Sequence, residues 1–183
     1  IGVAGRLQPI EMAASAASPV ELQDQTFEGK FRFELNSPDA AVLTIRSFYW
    51  EDKDRYYAFM KDAFARIKRA KVSTLVIDVR DNGGGDDDMW MHGIPDYIAD
   101  KPYRWGSAYK KKIIEKYRDK GEVVGEVKTG EIQSVIQPKL DNPLFFHGKT
   151  YVLVGPYTYS SDILFANVVG NYGFATVAGT GNS

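Results

Sequence analysis

The chain has 183 residues, 44% of them apolar, a length and composition that suit one compact domain with its own core. Lysine and arginine number 23 against 24 aspartates and glutamates, for a net charge of −1. That balance gives no basic field for nucleic acid and no polybasic tract for an anionic membrane surface, and Lys110, Lys111 and Lys112 read as a solvated local cluster. The absence of cysteine excludes a disulfide framework, a thiol nucleophile and a thiolate metal site. No apolar run approaches the roughly 18 residues of a membrane span. The chain opens on Ile1 and not on Met, which is expected of a fragment or a processed form.

In chain order, residues 1–25 hold the small-residue run "EMAASAASPVEL" and read as a linker or peripheral segment ahead of a core at 26–183. "KFRFEL" (Lys30 to Leu35) and "AAVLTIRSF" (Ala40 to Phe48) are two strands around the turn signal "NSPD", so they form a hairpin. From Asp52 to Ala70, Tyr56, Met60, Ala63, Phe64 and Ile67 recur on one helical face. "STLVIDV" (Ser73 to Val79) is a short apolar run expected to be a strand buried on both faces, which makes a β-α-β crossover. After three glycines, Asp86 to Ile98 reads as a helix with acids in its first turn. Ser107 to Gly121 reads as an amphipathic helix closed by Gly121, and Val127 to Pro138 as strand. "KTYVLVGP" (Lys149 to Pro156) is an interior strand, Ser160 to Gly173 a helix, and Phe174 to Gly179 a closing strand. The alternation defines an α/β domain.

Two strand-to-helix junctions carry the chemistry. In "RDNGGGDDD" (Arg80 to Asp88) the glycines let backbone N–H groups converge on an anion or a developing oxyanion. In "VGPYTYSSDILFA" (Val154 to Ala166) the strand ends and Ser160 and Ser161 open a helix, either as a plain N-cap or as a nucleophile. The carboxyl ends of parallel strands are where α/β folds build sites, so a nucleophile at one junction and N–H donors at the other would face one crevice.

"AVLTIRSF", "LVIDVRDNGGG", "VLVGPYTYSSDILFA" and "ATVAGTG" occur in that order at Ala41 to Phe48, Leu75 to Gly85, Val152 to Ala166 and Ala175 to Gly181. This ordered set resembles the tail-specific, or carboxyl-terminal processing, serine peptidases, and the likeness covers most of the chain from about Phe31 onward. The resemblance implies a crotonase-like α/β core of mixed, mostly parallel sheet with crossover helices. It implies a serine nucleophile at Ser160, with Ser161 as the one-residue slide, in a frame held by Thr158 and Phe165. It also implies an oxyanion hole made by the N–H groups of Gly84 and Ser161, with Gly83 and Gly85 as register alternatives, and Tyr157 and Tyr159 beside the serine could line a substrate pocket.

The sequence departs from the family where the general base belongs. In the best-known members a lysine follows the serine by about two dozen residues, and counting from Ser160 places it just beyond Ser183. A branch resembling the tricorn core uses a histidine on the strand that here carries Thr44, and neither His92 nor His147 matches a catalytic position. Two other readings have less support. Consecutive acids at Asp86, Asp87 and Asp88 lack the alternating spacing of a calcium loop. "DNGGG" is similar to the glycine box of ATPases related to histidine kinases, but the preceding helix lacks the asparagine that such a site needs. The expectation is a serine endopeptidase acting near the carboxyl termini of protein or peptide substrates. It would need no metal or organic cofactor and no nucleic-acid partner, and the resemblance alone implies a cell-envelope, periplasmic or secreted location. The alternative is an inactive relative whose cleft binds peptides or small apolar ligands.

Overall fold

The computed structural model describes residues 24–179, so almost all of the segment read as a linker, and the end of "ATVAGTG", lie outside the described residues. A short helix α1 (Phe27–Lys30) leads into β1 (Phe31–Ser37) and β2 (Ala40–Ile45), which pair antiparallel across a tight turn at Pro38 and Asp39 as the hairpin predicts. Helix α2 (Lys53–Ala70) starts where Asp52 caps it by accepting the Arg55 N–H at 3.0 Å. It ends at Lys71 in the left-handed conformation. All five residues of its predicted stripe are buried.

Strand β3 (Thr74–Asp78) then runs parallel to β2. Helices α3 (Asp87–Gly93) and α4 (Pro95–Ile98) divide the predicted 86–98 helix, because Pro95 has no N–H to continue it. Strands β4 (Ala108–Lys112) and β5 (Val127–Glu131) form a separate antiparallel ribbon. Strand β6 (Lys149–Val154), helix α5 (Ser161–Asn171) and strand β7 (Thr176–Gly179) complete the main sheet, whose order is β1-β2-β3-β6-β7 and whose only antiparallel pair is β1 with β2.

The strands β2, β3, β6 and β7 advance across the sheet in one direction. Right-handed crossovers therefore place α2 and α5 on the same face. Burial follows: Leu43, Ile45, Leu75, Ile77, Val79 and Val152 are enclosed, while Val42, Thr44, Val76, Asp78, Tyr151 and Leu153 on the other face are half-buried. The expectation that β3 is buried on both faces is corrected to burial on one, since the described helices cover only one side. Phe165 of α5 packs edge-on to Phe48, with ring centroids 5.6 Å apart, and 6.1 Å from Trp90 of α3. Phe165→Ala is expected to cost about 3–5 kcal/mol, read as a lower urea midpoint with an unchanged slope, because the cavity would open between three elements.

The Ser107 to Gly121 helix is also corrected: this segment is β4 and a 3-10 turn at Glu115–Tyr117. All five β4 residues are exposed, so a helix there would have no core to cover, and the backbone pairs with β5 instead. That register sets Lys111 directly opposite Lys128, a repulsive pair. The Glu122 carboxylate bridges both ammonium groups, at 3.0 and 3.1 Å. The Asp119 N–H and the Lys111 ammonium hold Glu122 down at about 2.

Candidate active site

The sheet order brings the carboxyl ends of β2, β3 and β6 side by side, and the loops that leave them form the site. Asn82, fully buried, ties the three together. Its side-chain amide donates to the Ile45 carbonyl at the end of β2 (3.2 Å), and its own N–H to Val79 at the end of β3 (3.0 Å). Its carbonyl accepts the Tyr159 N–H ahead of α5 (3.3 Å), and its Oδ1 accepts the Gly84 N–H (2.8 Å). Nothing in the composition marks this asparagine, because its value lies in partners brought from three distant segments.

The glycine loop is wedged between the other two. Phe48 donates its N–H to Gly84 O at 2.9 Å and accepts from the Asp86 N–H at 2.7 Å, a short parallel bridge after β2. Both glycines that follow Gly83 have positive φ, 94° at Gly84 and 146° at Gly85, which only glycine adopts freely. A Cβ on Gly84 would stand 2.7 Å from Ser160 Cβ and 2.7 Å from Tyr159 O, and one on Gly85 would run into the Phe48 backbone. Gly83 faces open space. Gly84 and Gly85 are thus required by close approach, and Gly83 is not.

Ser160 stands at the N-cap position of α5 but makes no capping hydrogen bond, and its backbone is at φ 56° and ψ −125°. A plain cap would be extended and bonded, so the bland reading of this serine does not describe it. An L-residue in such a conformation costs of order 1–3 kcal/mol and points to a functional constraint. Ser161 faces inward and donates its hydroxyl to Gly85 O at 2.8 Å, which fastens the start of α5 to the glycine loop. Its N–H is among those that a helix start leaves without an intrahelical acceptor. Thr158 is buried, accepts the Gly155 N–H at 3.0 Å and fixes the turn that delivers Ser160, while Tyr157 is half-buried and Tyr159 is 63% exposed beside it.

The remaining candidates fall elsewhere. Asp86 caps α3 and pairs with Lys53, and Asp87 accepts the Trp90 indole N–H at 3.1 Å, so the acidic triplet builds a helix start. His92 lies 3.8 Å from Asp96 on the helices. His147 precedes β6 and packs against Phe145, at the opposite end of the strand from Ser160. Thr44 lies beside Asp78 in the β2–β3 register, and Arg80 grips Asp78 through two hydrogen bonds of 2.9 and 2.7 Å.

One residue near the serine was passed over in the sequence. Asp162 is fully buried, and neither carboxylate oxygen has a hydrogen-bond partner. Burial pushes its carboxyl up to about 8, against a smaller opposite pull from the Thr158 hydroxyl. The signal was available: Asp162 stands three residues before Phe165 and seven before Val169, on the apolar face of its helix.

A strained serine thus stands between a parallel strand and a helix, pressed against a glycine loop. Residues 39–183 match Peptidase family S41, and the chain belongs to that family. Among solved structures, a candidate peptidase of Parabacteroides merdae ATCC 43184 superimposes with a TM-score of 0.58 at 20% identity, over 80% of this chain and 42% of that one. A photosystem II D1 C-terminal processing protease gives 0.52 at 14% identity, over 80% and 35%. Mature CPAF, in its complex with lactacystin, gives 0.55 at 13% identity, over 77% and 37%. The chain therefore spans less than half the length of these structures. No curated protein matches it.

Proposed function

We propose that the full-length protein is a serine endopeptidase with Ser160 as its nucleophile, built on a crotonase-like core and acting near the carboxyl termini of protein substrates at the cell envelope or outside the cell. The carrying observation is the backbone of Ser160, held at φ 56° against Gly84 with its hydroxyl uncommitted to a cap. A cleft that only bound peptides would have no use for that strain. No helix among the described residues is long and apolar enough to cross a membrane.

Strand geometry supports one choice among the glycines as oxyanion donor. Gly84 gives its N–H to Asn82, so it is occupied. In the bridge to Phe48, residues 84 and 86 make the hydrogen bonds, and Gly85 between them directs both its N–H and its C=O to the other side. Its C=O meets Ser161 there, so its N–H faces the start of α5 as well. We therefore favour Gly85, first given as a register alternative, over Gly84 as the donor that works with Ser161, and Gly84 as the residue whose missing side chain lets the two loops touch. In the reaction, Ser160 Oγ attacks the peptide carbonyl carbon while a neutral lysine, expected beyond Ser183, takes its proton. The two N–H groups hold the oxyanion. Collapse expels the amine with that proton and leaves an acyl-enzyme, which water hydrolyses.

The test is to treat full-length protein with a fluorophosphonate probe and map the adduct by mass spectrometry. A single adduct on Ser160 is expected. An adduct on Ser161 would move the nucleophile by one residue, and no adduct at any pH would overturn the enzymatic reading.

A further inference from the structure

We propose that Asp162 is a positioning residue for Ser160: its enclosed carboxyl seats the first turn of α5 beside Thr158 and so sets where the strained serine and the Ser161 N–H point. The inference rests on the reading of Ser160 as nucleophile. Three observations carry it. Asp162 is fully buried, and neither carboxylate oxygen has a hydrogen-bond partner. Its own N–H donates to Tyr159 O at 3.2 Å, so the residue spans the serine from its far side to its near side. Thr158, four residues back, holds Gly155 and with it the turn from Gly155 to Ser160, and its hydroxyl donates to Val79 O at 3.5 Å, which leaves the Asp162 oxygens without a partner.

A neutral carboxyl fits such a place, because it packs like an amide of the same shape. A carboxylate does not, since an unpaired charge in an apolar enclosure must find water or a donor. The donor at hand is the Thr158 hydroxyl, which is directed to Val79 O at 3.5 Å, so a charged Asp162 competes for it and draws on the turn that carries Ser160 and Ser161.

The charged groups on neighbouring elements are already engaged. Asp78 pairs with Arg80, Asp81 lies 4.0 Å from Arg46, Asp86 pairs with Lys53, and Asp87 accepts from Trp90. Tyr157 and Tyr159 complete the titratable groups of the preceding turn. Burial first, and the Thr158 hydroxyl second, govern Asp162, whose carboxyl is pushed up to about 8. The sign of the linkage follows. A raised value means that the neutral form contributes fully below the ordinary value of 3.8, and that this contribution is lost progressively as pH rises through about 8.

The experiment measures the rate of fluorophosphonate labelling of Ser160 from pH 5 to 10 in the full-length protein, with Asp162→Asn and Asp162→Leu beside wild type. Wild type is expected to lose labelling, about fivefold, as pH passes from about 8 to about 9, while Asp162→Asn labels within about threefold of wild type at pH 7 and keeps that rate at pH 9. Asp162→Leu serves if the asparagine variant does not fold, and it too should lack the alkaline loss. A variant that unfolds at lower temperature yet shows the same alkaline loss as wild type would overturn the inference and leave Ser160 as nucleophile. Absence of labelling in wild type at every pH would overturn the nucleophile assignment and this inference with it.

Discussion

Ser160→Ala in the full-length protein is expected to lower peptide turnover by about 10⁶-fold, the loss typical of removing a serine nucleophile from a hydrolytic site. That result alone would not separate a nucleophile from a residue needed for folding. The backbone supplies the separation, because Ser160 is held at φ 56° and ψ −125°, a conformation that glycine accepts and alanine does not. Ser160→Gly releases about 1–3 kcal/mol of strain, offset in part by the roughly 0.4–1 kcal/mol that extra freedom gives the unfolded chain. Ser160→Gly should therefore be as inactive as Ser160→Ala and yet more stable in urea. If Ser160→Gly proved the less stable of the two, strain would not be stored at this serine, and the main argument for its role would fail.

The second large effect is expected at Gly84. A methyl group there would stand 2.7 Å from Ser160 Cβ and from Tyr159 O, and φ of 94° is itself unfavourable for alanine. The dihedral costs about 1–2 kcal/mol and the crowding about 1–3 kcal/mol more. Relief requires the serine turn to move away from the glycine loop, and on the proposed mechanism a displacement of about 1 Å costs about 100-fold in rate. Gly84→Ala is thus expected to lose both stability and Ser160 labelling. Gly83→Ala is the control, since a Cβ there meets nothing within 4 Å. Equal behaviour of the two variants, by urea titration and labelling kinetics, would count against a close contact between the glycine loop and the serine turn.

The parts of the fold that the sequence revealed are those governed by local period. Tyr56, Met60, Ala63, Phe64 and Ile67 announce α2 because a helix repeats every 3.6 residues, and they are buried as read. The ribbon failed the same test for a tertiary reason: helical spacing around Lys110 to Lys112 matters only where a core waits to receive it, and here β5 offered paired backbone instead. The site shows the same division. Ser160, Ser161 and the glycines could be picked out because unusual residue types sit at strand ends. The pairing of Gly84 and Asp86 with Phe48 could not, since it depends on where two distant segments meet. Asn82 and Asp162 are ordinary polar letters until burial makes one a hub and leaves the other without a partner.

The bond from Ser161 to Gly85 joins residues 76 positions apart. During synthesis the hairpin, α2 and β3 can pair as soon as they emerge, since their contacts are close in sequence. The serine turn and the glycine loop meet only after β6 has docked beside β3, so this bond closes late, after the local pairings have formed.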